Sequence, residues 1–140
     1  LAGTTGANKS IYAMQEGMSI ANDEDSFLGF GIMKKGLSVL FVDTEVGEDE
    51  LIRRYKRIKN NFQEWDNGIN RFTMLSKKGS FVYIWNELKQ NVEKYKPDVL
   101  MKMLDIEEKK YLLDLNTNLL SFMDMEKQQK RSFIIIKILI

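Results

Sequence analysis

Residues 37–45 read LSVLFVDTE, an apolar run rich in Val and Phe that ends in acids. A strand of that kind is buried on both faces, so helices must cover the sheet from above and below. The neighbouring segments supply them. Residues 10–22 place Ile11, Ala13, Met14, Met18 and Ile20 at helical spacing. Gly17 weakens that helix by about 1 kcal/mol. The glycines Gly29, Gly31 and Gly36 then mark a loop. After the strand, residues 47–62 carry acids in the first turn and bases later, as the helix dipole favours, with Leu51, Tyr55, Ile58 and Phe62 as the apolar stripe. A turn at Asp66, Asn67 and Gly68 leads to a short strand over residues 70–75. Residues 81–96 predict a helix through Phe81, Ile84, Trp85, Leu88, Val92 and Tyr95, stopped by Pro97, and residues 97–105 predict another strand. Helices alternating with strands argue for an α/β fold, a parallel sheet flanked by helices.

The last third differs. Residues 106–130 are rich in Lys, Glu, Leu and Asn without glycine or proline, which predicts one or two helices, and residues 132–140 (SFIIIKILI) read as a strand. The expected organisation is a core over residues 1–105 and a helical tail with a terminal strand over residues 106–140, continuing the same domain. A chain of 140 residues suffices for one core. A net charge of +1 gives no global reason to bind nucleic acid or membrane. There is no cysteine and no histidine, which removes disulfides, thiolate chemistry, Cys/His zinc sites and histidine bases together. Chemistry is left to carboxylates, Lys, Arg, hydroxyls and a bound metal. No signal peptide is visible, and the run FIIIKILI is too short to span a bilayer, so no membrane partner and a cytoplasmic location are expected.

The chain opens LAGTTGANKS. Against the phosphate-loop pattern G-x-x-x-x-G-K-[ST], Gly3, Lys9 and Ser10 match, and Asn8 stands in place of the second glycine. Such a loop points backbone N–H groups at phosphate oxygens, its lysine bridges the terminal phosphates, and the next hydroxyl binds magnesium. The nucleotide-binding candidates are therefore Gly3, Thr4, Thr5, Gly6, Ala7, Asn8, Lys9 and Ser10. Asparagine tolerates the left-handed region, so a positive φ at Asn8 would cost about 1 kcal/mol. The motif normally follows a buried strand, and the chain begins inside it, so the core is expected to lack its first strand. Asp43 and Glu45 end the central strand, and ligands of open α/β sheets collect at carboxyl ends. Glu45 then shares an edge with the loop. Read without the loop, it is a solvated acid at a helix start, beside Glu48, Asp49 and Glu50.

In order, AGTTGANKS, MQEGMSIA, FLGF, VLFVDTE and ELIRR resemble the RecA-type ATPase family, in particular AAA-type ATPases related to the RepA- and DnaB-like replicative helicases of plasmids and phages. The likeness covers residues 1–100 and implies a RecA-like P-loop NTPase core that binds ATP and Mg2+ and couples hydrolysis to work on DNA. It implies that Glu45 polarises the attacking water, that Arg53 and Arg54 match an arginine pair, and that a homo-oligomer supplies an arginine from the neighbouring subunit. The family also has a second acidic motif, K-P-D-V-L followed by two apolar residues and an aspartate that supports magnesium. Here Lys96, Pro97, Asp98, Val99 and Leu100 are present, but Asp105 comes two residues late. Two residues preserve the strand face yet displace the carboxylate by about 7 Å. Lys102 inside that strand also departs from the pattern. Lys56, Arg57, Lys59 and Arg71 are candidates for DNA contact or for a solvated surface. Two other readings stay open: a nucleotide-binding module without turnover, and a non-enzymatic fragment with a vestigial loop.

Overall fold

The computed structural model describes residues 6–32, 34–78, 81–102 and 133–134. In chain order these form α1 (Gly6–Ala21), the short strands β1 (Ser26–Phe27) and β2 (Phe30–Gly31), β3 (Val39–Asp43), α2 (Glu48–Lys59), α3 (Gly68–Arg71), β4 (Phe72–Ser76), α4 (Phe81–Tyr95), β5 (Val99–Lys102) and β6 (Phe133–Ile134). The main sheet has the order β4-β3-β5-β6 and every pairing in it is parallel. Val39 lies opposite both Phe72 and Val99, which makes β3 the centre of the ladder. All five residues of β3 are buried, as its apolar run requires. The α/β fold with a helix-flanked parallel sheet is thus present.

One face of β3 carries Val39 and Phe41, and with Phe72, Val99 and Met101 they pack against Ala13, Met14, Met18 and Ala21 of α1 and Leu51 and Ile58 of α2. Gly17 sits where α1 lies close against the sheet. A Cβ there would stand 2.8 Å from the Met101 sulfur and 3.2 Å from the Phe72 ring. The glycine that weakens the helix is what lets it approach. Alternation turns Leu40, Val42 and Leu100 to the opposite face. The chain moves one way from β3 to β4 and the other way from β4 to β5. Crossovers of one hand therefore put α2 and α4 on opposite faces, and α4 buries Leu88 and Val92.

Boundaries move where local bonding overrides periodicity. Helix α1 starts at Gly6, four residues ahead of the apolar pattern, because a first turn needs no buried side chains. β3 stops at Asp43 instead of reaching Glu45, since Asp43 Oδ1 accepts the N–H groups of Glu45 and Val46, both at 2.9 Å, and turns the chain. The strand expected over residues 70–75 begins later, after the turn of helix α3. β1 and β2 form a hairpin inside the expected loop, with Leu28 at φ 48° and Gly29 at φ 83° in its turn. Tyr12 meets Phe27 edge-on, 5.1 Å between ring centres. The helical and terminal-strand expectations for residues 106–130 and 132–140 lie outside the described residues, apart from β6. So does any strand before residue 6.

Candidate functional site

Helix α1 begins at the carboxyl edge of the sheet, where its Ser10 hydroxyl donates to Asp43 Oδ2 at 3.2 Å. Both residues are only 3% exposed. The first-turn N–H groups of a helix have no acceptor within it, so this end presents donors and positive potential beside a buried hydroxyl. Asp43 is the hub: one oxygen holds Ser10, the other holds the turn through Glu45 and Val46. The turn is also tied to the end of β4, because Lys77 N–H donates to the Asp43 carbonyl at 3.0 Å and the Ser76 hydroxyl donates to the Val46 carbonyl at 3.2 Å. Thr44 lies within this turn, buried, and among the described residues its hydroxyl finds no hydrogen-bond partner.

Of the expected site residues, Ser10 is placed in full. Ala7, Asn8 and Lys9 lie in the first turn of α1 with Gly6 as its first residue; their side chains, and Gly3, Thr4 and Thr5 altogether, are outside the described residues. The backbone at Asn8 is right-handed helix, so no positive φ is demanded there. Asparagine in place of glycine costs nothing by that route. Glu45 is exposed, two residues past the end of β3, and joins the site through its backbone N–H. Asp105 lies outside the described residues. Lys102 is buried at the end of β5, in register with Val42, at the same edge. Among the described residues no group of His, Cys, Asp and Glu is spaced to hold a metal ion by itself.

The arginines are partly accounted for. Glu50 holds Arg53 and Arg54 on α2, the latter through Nε at 3.3 Å, and Arg54 is buried. Arg71 pairs with Asp23 at 2.6 Å at the amino edge, away from Ser10. Lys56, Arg57 and Lys59 remain exposed on α2. Asp43 as the partner of Ser10, and Thr44 beside it, were not anticipated; the only signal was that Asp43 ends a strand on the edge where the loop should lie.

The fit of a magnesium nucleotide can be judged from this geometry. Buried hydroxyls are almost always paired; among the described residues the Thr44 hydroxyl is not, and it lies one residue on from the Asp43 that holds Ser10 at the start of α1. The residues suit phosphate oxygens and a hard cation that takes oxygen ligands. A parallel sheet with a helix start over its carboxyl edge is the layout in which α/β domains collect their ligands. The chain belongs to the AAA domain family, which it matches over residues 1–101, and is thereby a domain of the ATP-binding, P-loop NTPase type. Neither a curated protein nor a solved structure gives a significant match. Among the described residues no helix is long and apolar enough to cross a membrane.

Proposed function

We propose that this chain is the nucleotide-binding core of a RecA-like ATPase that couples ATP hydrolysis to work on DNA, with residues 1–105 as the core and residues 106–140 continuing it. The observation that carries the nucleotide reading is the buried Ser10–Asp43 bond at the carboxyl edge, followed in the chain by Thr44, whose hydroxyl has no partner among the described residues. In this reading residues 3–10 wrap the phosphates, Lys9 bridges the terminal ones and Ser10 offers its oxygen to magnesium. The metal, when bound, neutralises charge on the transferring phosphoryl group. Glu45, exposed on the turn held by Asp43, orients the attacking water; with no histidine in the chain, a carboxylate is the natural group for that task. DNA as the object of the work, and a neighbouring subunit that completes the site with an arginine, rest on the resemblance of the ordered motifs.

Lys102 favours a second reading, nucleotide binding without turnover. It is buried at the end of β5, where the family motif has an apolar residue ahead of its magnesium-supporting aspartate. Magnesium-dependent release of phosphate in the presence of DNA separates the two readings. The first test is Lys9→Ala. Binding of a fluorescent ATP analogue should weaken by about tenfold to a hundredfold, the range for a hydrogen-bonded charge, with an unchanged circular dichroism spectrum. Equal affinity in both proteins would remove the nucleotide reading.

A further inference from the structure

We propose that Asp43 is a positioning residue that makes the turn carrying Glu45 respond to what binds Ser10. The proposal rests on the nucleotide reading above and deepens it. A carboxylate that only ended a strand could be exposed and bonded to its own turn. Asp43 is 3% exposed, and its two oxygens serve two different elements: Oδ2 takes the Ser10 hydroxyl across 33 residues of chain, and Oδ1 takes the N–H groups of Glu45 and Val46. Because Ser10 donates its proton to Asp43, its lone pairs are the part left for a cation. A cation that draws on them makes the O–H a stronger donor, and a carboxyl group held more tightly at one oxygen has less freedom to swing away from the turn N–H groups that it accepts at the other. That other oxygen holds the Glu45 backbone. Ser10, Asp43 and the Glu45 amide are thus one connected path of two hydrogen bonds through one carboxyl group. A residue that merely capped the turn would have no reason to reach α1.

The two halves of the path can be broken separately. Asp43→Asn keeps an oxygen that can accept both turn N–H groups, and it replaces the acceptor facing Ser10 with a donor. The experiment uses the full 140-residue chain, MgCl2 and a non-hydrolysable ATP analogue, and reads two quantities. In the wild type, magnesium should raise analogue affinity, and magnesium with analogue should slow hydrogen exchange at the Glu45 and Val46 amides several-fold. In Asp43→Asn the gain from magnesium, each protein compared with itself without the metal, should shrink about tenfold, the worth of one hydrogen bond to a charged group, and the amide response should vanish. Ser10→Ala breaks the same bond from its other end. It should also abolish the amide response while leaving ligand-free protection intact, and Asp43→Asn added to it should cause no further loss of the magnesium gain. A wild-type magnesium gain or a preserved amide response in Asp43→Asn would overturn the link while leaving the nucleotide site standing. A preserved amide response in Ser10→Ala would do the same. Absence of analogue binding by the wild type would overturn the functional reading and the link together.

Discussion

At the amino edge of the sheet, the Asn22 side chain is 8% exposed and fully engaged: its Nδ2 donates to the Glu64 carbonyl at 2.7 Å and to Glu24 at 3.3 Å, and its Oδ1 accepts the Gly68 N–H at 3.0 Å. Nearby, Asp23 accepts from Gly36 N–H and Arg71, and Asp98 accepts both the N–H and the hydroxyl of Ser38, joining the starts of β3 and β5. A cleft of about 550 Å³ opens there between Asn22, Glu24, Glu64 and Asp66, yet it holds no unpaired buried side chain among the described residues. At the carboxyl edge, among the described residues, the buried Thr44 hydroxyl has no hydrogen-bond partner. The contrast assigns labour. The amino edge holds α1 and the loops in register, and the carboxyl edge is where the proposed nucleotide would make its bonds.

The sharpest attack on that division is Glu45→Gln. If the exposed carboxylate orients water, turnover should fall about a hundredfold or more, a general-base contribution, with analogue binding and thermal stability unchanged. A variant that turns over at the wild-type rate would reduce Glu45 to a surface acid at the start of α2. Asn22→Ala attacks the other edge. It leaves the Glu64 carbonyl and Gly68 N–H unpaired and should lower stability by about 2 kcal/mol in urea titrations, with nucleotide affinity untouched. Loss of affinity at full stability would mean the edges are not independent.

A smaller effect is set by pH. The Gly36 N–H, then the Arg71 and Lys35 cations, hold the Asp23 carboxyl below its ordinary 3.8, against the opposing pull of burial. A lowered folded pKa stabilises the protein above the unfolded value, and that contribution is lost as pH falls through the folded one. Asp23→Asn should therefore cost about 1 kcal/mol at neutral pH and make stability less steep below pH 3.8. An unchanged acid limb in thermal melts would show that Asp23 is not part of the lock. Least of all should Asn8→Gly matter. In a helical turn the exchange costs a few tenths of a kcal/mol and leaves nucleotide affinity in place. A large loss of affinity would instead show that the amide side chain touches the ligand.

What could be read from residues alone follows from range. β3, α2 and α4 announce themselves because burial repeats at a fixed spacing, and the parallel sheet follows from their alternation. The hairpin of β1 and β2 escapes, as two-residue strands have no period and Leu28 is a poor residue for a turn that requires positive φ. Ser10 was legible through its loop motif, whereas its bond to Asp43 spans 33 residues and no local pattern encodes it. Arg71 looked available for DNA because its partner, Asp23, is 48 residues away. Gly17 looked like a flaw because the side chains that need its vacancy, Met101 and Phe72, come from other strands.

That close approach gives α1 the mechanics of a lever. The helix meets the sheet closely at Gly17, and Ser10 lies in the second turn from its start. Ser10 is then the tip of an arm about 10 Å long, at 1.5 Å per residue. A tilt of about 5° around the Gly17 fulcrum would swing that tip by roughly 1 Å, enough to carry a 3.2 Å hydrogen bond out of range.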